Sequence, residues 1–185
     1  MRIFLESNID DSDEYGIEVA DQKYTSANTS INSTKLPAIF KLVKFNAGDV
    51  NLDFGGGKFD NVAEELAKSD VVNLVYDPYN RSAAHNSNVL KQLRSNGGAD
   101  SVTCSNVLNV IAEEPARIAA VRNCYNLLKP GHYAYFTVYE GDRSGEGKET
   151  KSGYQLNRIT RSYVNEIQQV FDNVSVRGKL ITAKK

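Results

Sequence analysis

Residues 51–61 read NLDFGGGKFDN. An apolar run leads into three adjacent glycines, and VAEELAK follows with the composition of a helix. This order of strand, tight turn and helix start leaves backbone N–H groups free to hold a ligand. The sequence therefore predicts a ligand-binding turn between a first strand and a helix.

The residues of this turn exclude two phosphate-binding motifs. A P-loop needs Ser or Thr after its lysine to bind magnesium, whereas Phe59 follows Lys58. A dinucleotide fingerprint needs a third glycine, whereas Asp60 stands at that position. Asp53, which begins the turn, would repel a pyrophosphate and attract an ammonium group. The turn is therefore predicted to hold a cationic ligand, and a glycine turn without a ligand is the alternative.

Downstream of residue 49, short apolar runs alternate with amphipathic stretches. This pattern predicts strands at 49–54, 71–77, 99–108 and 132–140, one or two more within 173–185, and helices at 61–69, 82–96, 112–128 and 157–171. Strict alternation predicts a mostly parallel sheet covered on both faces, with ligands at the carboxyl ends of the strands. The Gly-, Lys- and Glu-rich segment that follows residue 139 is expected to be a long mobile loop that acts as a lid.

The first 48 residues have a different character. Residues 1–30 are polar and turn-rich, which predicts a small hairpin or an extended cover. NSTKLPAIFKLVKFN, residues 32–46, predicts a helix with Ser33 or Thr34 as N-cap and Pro37 in its first turn. We expect a single domain over residues 1–185, with the cover and helix in 1–48 and a cofactor-binding core in 49–185.

The composition argues against several classes of protein. The 22 Lys and Arg balance 23 Asp and Glu, so the basic excess typical of nucleic-acid binding is missing from the total. Cys104 and Cys124 lie in apolar segments, where burial is expected, and His85 and His132 are isolated; the sequence predicts neither a disulfide nor a metal site. No apolar run fits a signal peptide or a membrane span, so a cytoplasmic location is expected.

A second acid, Asp77, ends the second predicted strand in VVNLVYDPYN, 24 positions after Asp53. It would lie beside the glycine turn, where a carboxylate takes both hydroxyls of a ribose. A turn-forming Asp before Pro78 is one alternative. A target-base motif of the D-P-P-Y type is another, which the position after the second strand disfavours. An acid for an amino group and an acid for a ribose together favour S-adenosylmethionine as the ligand.

On these residues the chain resembles the class I S-adenosylmethionine-dependent methyltransferases, from about residue 49 to residue 185. DFGGGKF matches the acid and the first two glycines of the family's first motif at Asp53, Gly55 and Gly57. It departs from the motif at Phe59, whose ring we predict to pack under the turn as core. GADSVTCSNVLNVI is similar to the family's fourth strand, and LLKPGHYAYFTVY to its helix, turn and fifth strand.

The resemblance implies an α/β fold, a Rossmann-like three-layer sandwich with a mostly parallel sheet and an antiparallel C-terminal strand. Only one helix separates the second strand from ADSVTC, so the family's third strand is expected to be reduced or missing. Adenine contacts would then come from Tyr79 or Asn80. SNVLNVI and EEPAR are also similar to methyltransferase-like proteins associated with DNA phosphorothioation systems, which favours a nucleobase or DNA as methyl acceptor.

The resemblance also implies a site on this chain. The expected cofactor-binding residues are Asp53, Phe54, Gly55, Gly57, Asp77, Pro78, Tyr79 and Asn106. The expected catalytic residues are Asn106, Tyr139 and Asp142. Asn106 or Asp142 would align an amine acceptor, and Asp142 or Glu140 would serve as a base where one is needed. Asn109, one helical turn after Asn106, is a second amide that could hold a substrate amine or the amino group of the cofactor. For both Asn residues, a helix cap or a turn former is the alternative.

Three functions stay open on the sequence. The first is a methyltransferase that uses S-adenosylmethionine. The second is a non-catalytic methyltransferase-like module that recruits or regulates a partner. The third is an enzyme that consumes the same cofactor in another reaction. The expected partners are the small-molecule cofactor and a nucleic-acid or nucleobase substrate, with no membrane.

Overall fold

The computed structural model describes residues 16–25 and 35–185. The strands in these ranges are β1 (Val50–Phe54), β2 (Val72–Tyr76), β3 (Ala99–Ser105), β4 (Leu128–Thr137), β5 (Gly147–Thr150), β6 (Gly153–Leu156), β7 (Asn173–Arg177) and β8 (Leu180–Lys184). The helices are α1 (Ile39–Leu42), α2 (Asn61–Ala67), α3 (Ala83–Ser95), α4 (Glu114–Leu127) and α5 (Val164–Ile167). Single 3₁₀ turns occupy Leu108–Val110 and Thr160–Tyr163.

Six of these strands form one sheet in the order β2-β1-β3-β4-β8-β7. β1 pairs in parallel with β2 and β3, and β3 pairs in parallel with β4. β8 is antiparallel to both β4 and β7. The predicted mostly parallel sheet with an antiparallel C-terminal strand is therefore confirmed.

The first edge of this sheet is shortened. In the described chain, residues 77–98 contain α3 with a turn on either side but no strand, so β2 lies at the edge. The expectation that the third strand is missing is confirmed. The carboxyl ends of β1, β2 and β3 meet at one rim, because parallel neighbours run in the same direction.

Helices cover both faces of the sheet. Successive side chains of a strand point to opposite faces. In β4, Phe136 belongs to the larger core with side chains of α3 and α4, whereas Tyr135 packs on the smaller core. That smaller core contains Ile39 of α1 and Leu66 of α2. The fold is therefore a three-layer Rossmann-like sandwich, as predicted.

The N-terminal helix is much shorter than predicted, and of the two alternatives for residues 1–30 the described part is the extended cover. The helix expected over residues 32–46 is confined to the four residues of α1, because Val43 is already extended with ψ 138°. The extended backbone lets Val43 reach the smaller core and places the ring of Phe45 6.3 Å from that of Phe40. The proposed N-caps Ser33 and Thr34 lie outside the described residues. Residues 16–25 contain no strand, so they show no hairpin.

The predicted lid segment is also different from its prediction. Instead of an irregular loop it contains an antiparallel hairpin in which β5 pairs with β6, from Gly147 opposite Leu156 to Thr150 opposite Gly153. A two-residue turn, Lys151 and Ser152, joins the strands. The helix predicted over 157–171 is broken into a 3₁₀ turn and the short α5.

The cysteines and the helix lengths bear on two further expectations. Cys104 and Cys124 are free and buried in the core, as predicted. Among the helices of the described ranges, none combines the length and the apolar character needed to cross a bilayer.

Candidate functional site

The glycine turn, residues 55–60, follows β1 at the rim of the sheet. Gly55 and Gly57 have φ of 74° and 79°, a conformation that side chains disfavour. The Gly55 N–H donates to the Tyr76 carbonyl of β2 at 2.8 Å. A Cβ on Gly55 would collide with the side chain of Val107. Glycine is thus required both by the backbone conformation and by the close approach of the turn after β3.

Asp53 lies directly beneath this turn. A Cβ on Gly56 would come 2.5 Å from Asp53 Oδ2. The carboxylate therefore fits beneath the turn only because Gly56 has no side chain. Only 3% of Asp53 is exposed, and its Oδ1 accepts a hydrogen bond from Thr103 at 3.3 Å. Burial raises the pKa of Asp53 to about 7, and the Thr103 hydroxyl lowers it in part. A cation beside this carboxylate would favour its ionised form.

Asp77 joins the end of β2 to the glycine turn. Its Oδ2 accepts from the Gly57 N–H at 2.9 Å, and its Oδ1 accepts from the N–H groups of Tyr79 and Asn80 at 3.0 Å each. The Asn80 side-chain amide donates to both oxygens at 3.2 Å. A carboxylate has about four acceptor positions, so these donors use most of its capacity. Asp77 therefore holds the shape of the turn.

Arg81 fastens the same turn from the other side. Its Nε donates to the Gly57 carbonyl and its guanidinium to the Phe59 carbonyl, both at 2.7 Å. It also pairs with Asp60 at 2.8 Å, and only 10% of the Arg81 side chain is exposed. Nothing in the sequence motif marked Arg81, because its partners, two backbone carbonyls and the Asp60 carboxylate, lie more than 20 positions away.

The prediction for Phe59 was wrong. Its ring is 47% exposed instead of packed beneath the turn. Arg81 holds the Phe59 carbonyl, and the ring lies beside Lys58 with the ammonium 5.8 Å from the ring centre. The Asp53 carboxylate occupies the space beneath the turn. Phe59 is also not among the residues that line the cavity described next.

A cavity of about 1070 Å³ opens at the carboxyl ends of the parallel strands. This volume slightly exceeds the range of about 300–1,000 Å³ that is usual for small-molecule sites. The predicted site residues that line it are Asp53, Phe54, Gly55, Gly57, Asp77, Pro78, Tyr79, Asn106 and Tyr139. The fold thus brings residues at the ends of β1, β2 and β3, together with Tyr139 beyond β4, to one space.

Asp142 is not brought to this cavity. Its carboxylate pairs with Lys148 at 2.6 Å and accepts from the Ser144 N–H at 2.9 Å, in an exposed loop. The hydrogen bond from Lys148 holds the pKa of Asp142 below its usual range. Glu140 is buried and accepts two hydrogen bonds from Thr160, which lower its pKa. Both carboxylates stabilise the chain after β4 and lie apart from the residues lining the cavity.

Asn106 stands where β3 ends. Its φ is 57°, a left-handed conformation that Asn tolerates better than most residues. Its N–H donates to the Thr137 carbonyl of β4 at 2.9 Å. A residue held in this conformation at the rim of a cavity is typical of binding sites. The turn at Asn106 also places the side chain of Val107 against Gly55.

The far wall of the cavity is formed by the cover segment, residues 17–24, and by the β5–β6 hairpin. The rings of Tyr24 and Tyr154 stack with their centres 5.5 Å apart and their planes 12° apart. Glu149 accepts a hydrogen bond from Tyr24 and pairs with Lys23 at 3.2 Å. No pattern in the sequence indicated that these segments meet, since they lie more than 100 positions apart.

The cover segment is also fixed to α4. The Glu18 N–H donates to Asn123 Oδ1 at 2.8 Å, and Asn123 Nδ2 donates to the Glu18 carbonyl at 2.9 Å. Arg122 forms an ion pair with the Glu18 carboxylate. These contacts hold the cover segment against α4, and both elements line the cavity.

The fold and this site define a Rossmann-like protein with a ligand cavity at the strand ends. The family model of the methyltransferase domain matches residues 31–175, most of the chain. The chain belongs to this methyltransferase-domain family. No curated protein matches the chain.

Solved structures support the same fold. One is PigF with SAH, at 16% identity and a TM-score of 0.52, covering 74% of this chain and 50% of that one. Another is the 1,6-didemethyltoxoflavin-N1-methyltransferase of Burkholderia thailandensis with bound 1,6-didemethyltoxoflavin and S-adenosylhomocysteine. It is 14% identical with a TM-score of 0.53, covering 75% of this chain and 72% of that one. The chain thus spans about half the length of PigF.

Proposed function

We propose that this protein is a methyltransferase that uses S-adenosylmethionine to methylate a small acceptor inside the cavity. The observation that carries the proposal is the position of two acids, Asp53 and Asp77, on either side of the glycine turn at one cavity of about 1070 Å³. Membership of the methyltransferase-domain family supports it. Two proteins of similar fold contain S-adenosylhomocysteine, the product form of this cofactor, which adds support.

In the proposed binding mode, residues at the carboxyl ends of β1, β2 and β3 would hold the cofactor. Asp53 would hold its ammonium group, because a buried carboxylate gains most from a cation. Asp77 would hold its ribose, whose hydroxyl groups would replace the donors of the Asn80 side chain. Tyr79 and Asn80 would contact the adenine and Asn106 the methionine portion, with Phe54 and Pro78 among the other residues that line the cavity.

The proposed chemistry is a direct displacement at the methyl carbon. Such a reaction depends mainly on alignment of the acceptor and exclusion of water. Among the described residues that line the cavity there is neither a His nor a Cys, and Asp142 and Glu140 lie elsewhere. This favours a nitrogen acceptor that attacks without prior loss of a proton. Tyr139, which lines the cavity and is 62% exposed, is assigned to the entrance for the acceptor.

The nucleobase acceptor suggested by the sequence fits a cavity closed by the cover segment and the hairpin better than duplex DNA does. A duplex would need its target base to be turned out of the helix to reach such a space. The net charge of −1 gives no general attraction to a phosphate backbone. We therefore propose a free small molecule as acceptor, with a nucleobase as one member of that class.

The proposal is tested by incubating the protein with methyl-labelled S-adenosylmethionine and a panel of free nucleobases, other nitrogen heterocycles and duplex DNA. Labelled product together with S-adenosylhomocysteine supports methyl transfer to the acceptor that carries the label. Cleavage of the cofactor without a labelled acceptor would indicate a different reaction. Failure of the cofactor to bind would overturn the proposal.

A further inference from the structure

The orientation of two side-chain amides in the far part of the cavity is fixed by the backbone. Gln155 Nε2 donates to the carbonyls of Tyr139 at 3.0 Å and Leu156 at 2.8 Å. Its Oε1 must therefore face the other way, where it accepts from Asn109 Nδ2 at 3.1 Å. This relay leaves the Oδ1 of Asn109 as the free end of its amide.

That oxygen has no partner of its own. Asn109 lies in the 3₁₀ turn after β3, lines the cavity and is only 2% exposed. Its Oδ1 is buried and makes no hydrogen bond within the part of the chain that the structure describes. Buried polar atoms are nearly always paired, so an unpaired one beside a cavity points to a bound ligand. Because an amide oxygen only accepts, that ligand must present a donor.

The neighbouring walls favour a flat molecule. The stacked rings of Tyr24 and Tyr154 line the same cavity as Gln155. Their planes are within 12° of parallel, so each ring covers one face of the other and only the outer faces are left for a ligand. Aromatic side chains bind planar rings by offset stacking.

We infer that the compartment formed by Asn109, Gln155, Tyr24 and Tyr154 binds the methyl acceptor, and that the acceptor is a planar nitrogen heterocycle whose N–H group donates to Asn109 Oδ1. This assignment rests on the proposed methyl transfer. A second ring nitrogen is the nucleophile. Its lone pair forms the new bond to the methyl carbon while the carbon–sulfur bond breaks and its electron pair stays on sulfur. A proton on the methylated ring is then released to water.

The experiment is a calorimetric titration of the full-length protein with lumazine, a fused bicyclic heterocycle with ring N–H groups, and with quinoxaline, a related fused ring without an N–H group. Each titration is run with and without saturating S-adenosylhomocysteine. Lumazine is expected to bind at least about tenfold more tightly than quinoxaline, the worth of one buried hydrogen bond. In Asn109→Leu the affinity for lumazine should fall until it is within about twofold of the affinity for quinoxaline.

Gln155→Leu provides a second variant in which Asn109 keeps both amide atoms but loses the partner that orients them. It should reduce the preference for lumazine while the affinity for quinoxaline stays unchanged. Circular dichroism and thermal unfolding identify any variant that does not fold. Equal binding of the two rings by the wild type, or an unchanged preference in both folded variants, would overturn the assignment.

The titrations separate this inference from the proposed function. S-adenosylhomocysteine could fail to bind while the wild type still prefers lumazine and Asn109→Leu does not. That result would reject the proposed methyl transfer but support the heterocycle site. If S-adenosylhomocysteine binds and neither ring does, the cofactor site stands and the acceptor assignment is wrong.

Discussion

The carboxylate of Asp77 accepts a hydrogen bond of 2.9 Å from the backbone N–H of Gly57. The acid after the second strand therefore supports the glycine turn after the first strand. The same carboxylate accepts from the N–H groups of Tyr79 and Asn80. One side chain thus holds two turns on the same side of the cavity, so any role of Asp77 in binding a ribose is combined with a structural one.

Asp77→Ala should lower the free energy of unfolding by about 2–4 kcal/mol, because it leaves buried or half-buried N–H groups without an acceptor. Asp77→Asn keeps one acceptor oxygen, so its free energy of unfolding should fall by less. Urea denaturation of both variants measures this difference. A loss below about 0.5 kcal/mol in Asp77→Ala would show that these hydrogen bonds do not support the turn.

Gly56→Ala should weaken the binding of S-adenosylmethionine by displacing the Asp53 carboxylate. The new Cβ would lie 2.5 Å from Asp53 Oδ2 and 3.0 Å from Val75 Cγ1. The control is Gly97→Ala, a glycine with φ of 73° and no atom within 4 Å of an added Cβ. We expect about a tenfold loss of affinity in Gly56→Ala, and no change in Gly97→Ala, by calorimetry. Equal affinities in the two variants would contradict this role of Gly56.

Asp53 should make stability depend on pH. Because burial raises its pKa to about 7 in the folded protein, the folded state keeps a proton that the unfolded state releases near pH 4. Its contribution to stability is therefore largest below about pH 4 and is lost as the pH rises to about 7. Asp53→Asn removes this dependence.

The stabilisation by Asp53→Asn should be about 2–4 kcal/mol greater at pH 8 than at pH 4. Urea denaturation of the wild type and the variant at both pH values measures it. A difference that is the same at the two pH values would show that Asp53 titrates normally in the folded protein.

Arg117 and Glu166 form a buried ion pair, with Nε to Oε2 at 2.8 Å and about 5% of each side chain exposed. Arg117 also donates to the carbonyls of Ile111 and Ala112, which follow the turn that carries Asn109. Burial acts to raise the pKa of Glu166, but the hydrogen bonds from Arg117 and Arg158 outweigh it and lower the pKa.

Glu166→Leu should destabilise the protein by about 3–5 kcal/mol, because it leaves a buried guanidinium unpaired. In the wild type, the stability that Glu166 contributes should be present above about pH 4.5 and lost as the pH falls below it, since its pKa is lowered. Thermal unfolding from pH 3 to 7 checks both points. The double change Arg117→Met with Glu166→Leu should recover part of the loss; a double variant as unstable as the sum of the singles would argue against direct pairing.

The elements that the sequence predicted correctly are those with local signals. The strand, glycine turn and helix around residues 51–67, the alternation that follows and the missing third strand are encoded in short periodic stretches. Asp53, Asp77 and Asn106 could be placed at the rim because each ends a strand. Their shared cavity follows from parallel pairing.

The features that the sequence did not predict depend on distant contacts. Phe59 is exposed because Arg81, 22 positions away, holds its carbonyl. The pairing of Asn109 with Gln155 joins residues 46 positions apart. The β5–β6 hairpin consists of short, polar strands, and its contact with Tyr24 spans 125 positions. Periodicity carries no information about such contacts.

The role proposed for Asp53 is to hold the cationic end of S-adenosylmethionine in the cavity. Calorimetric titration of the cofactor at pH 7.5 into the wild type, Asp53→Asn and Glu64→Gln tests this role, Glu64 being an exposed acid on α2. We predict one-to-one binding by the wild type and by Glu64→Gln, with affinity lower by about 10- to 100-fold in Asp53→Asn. No binding by the wild type, or equal affinity in all three proteins, would show that Asp53 does not hold the cofactor.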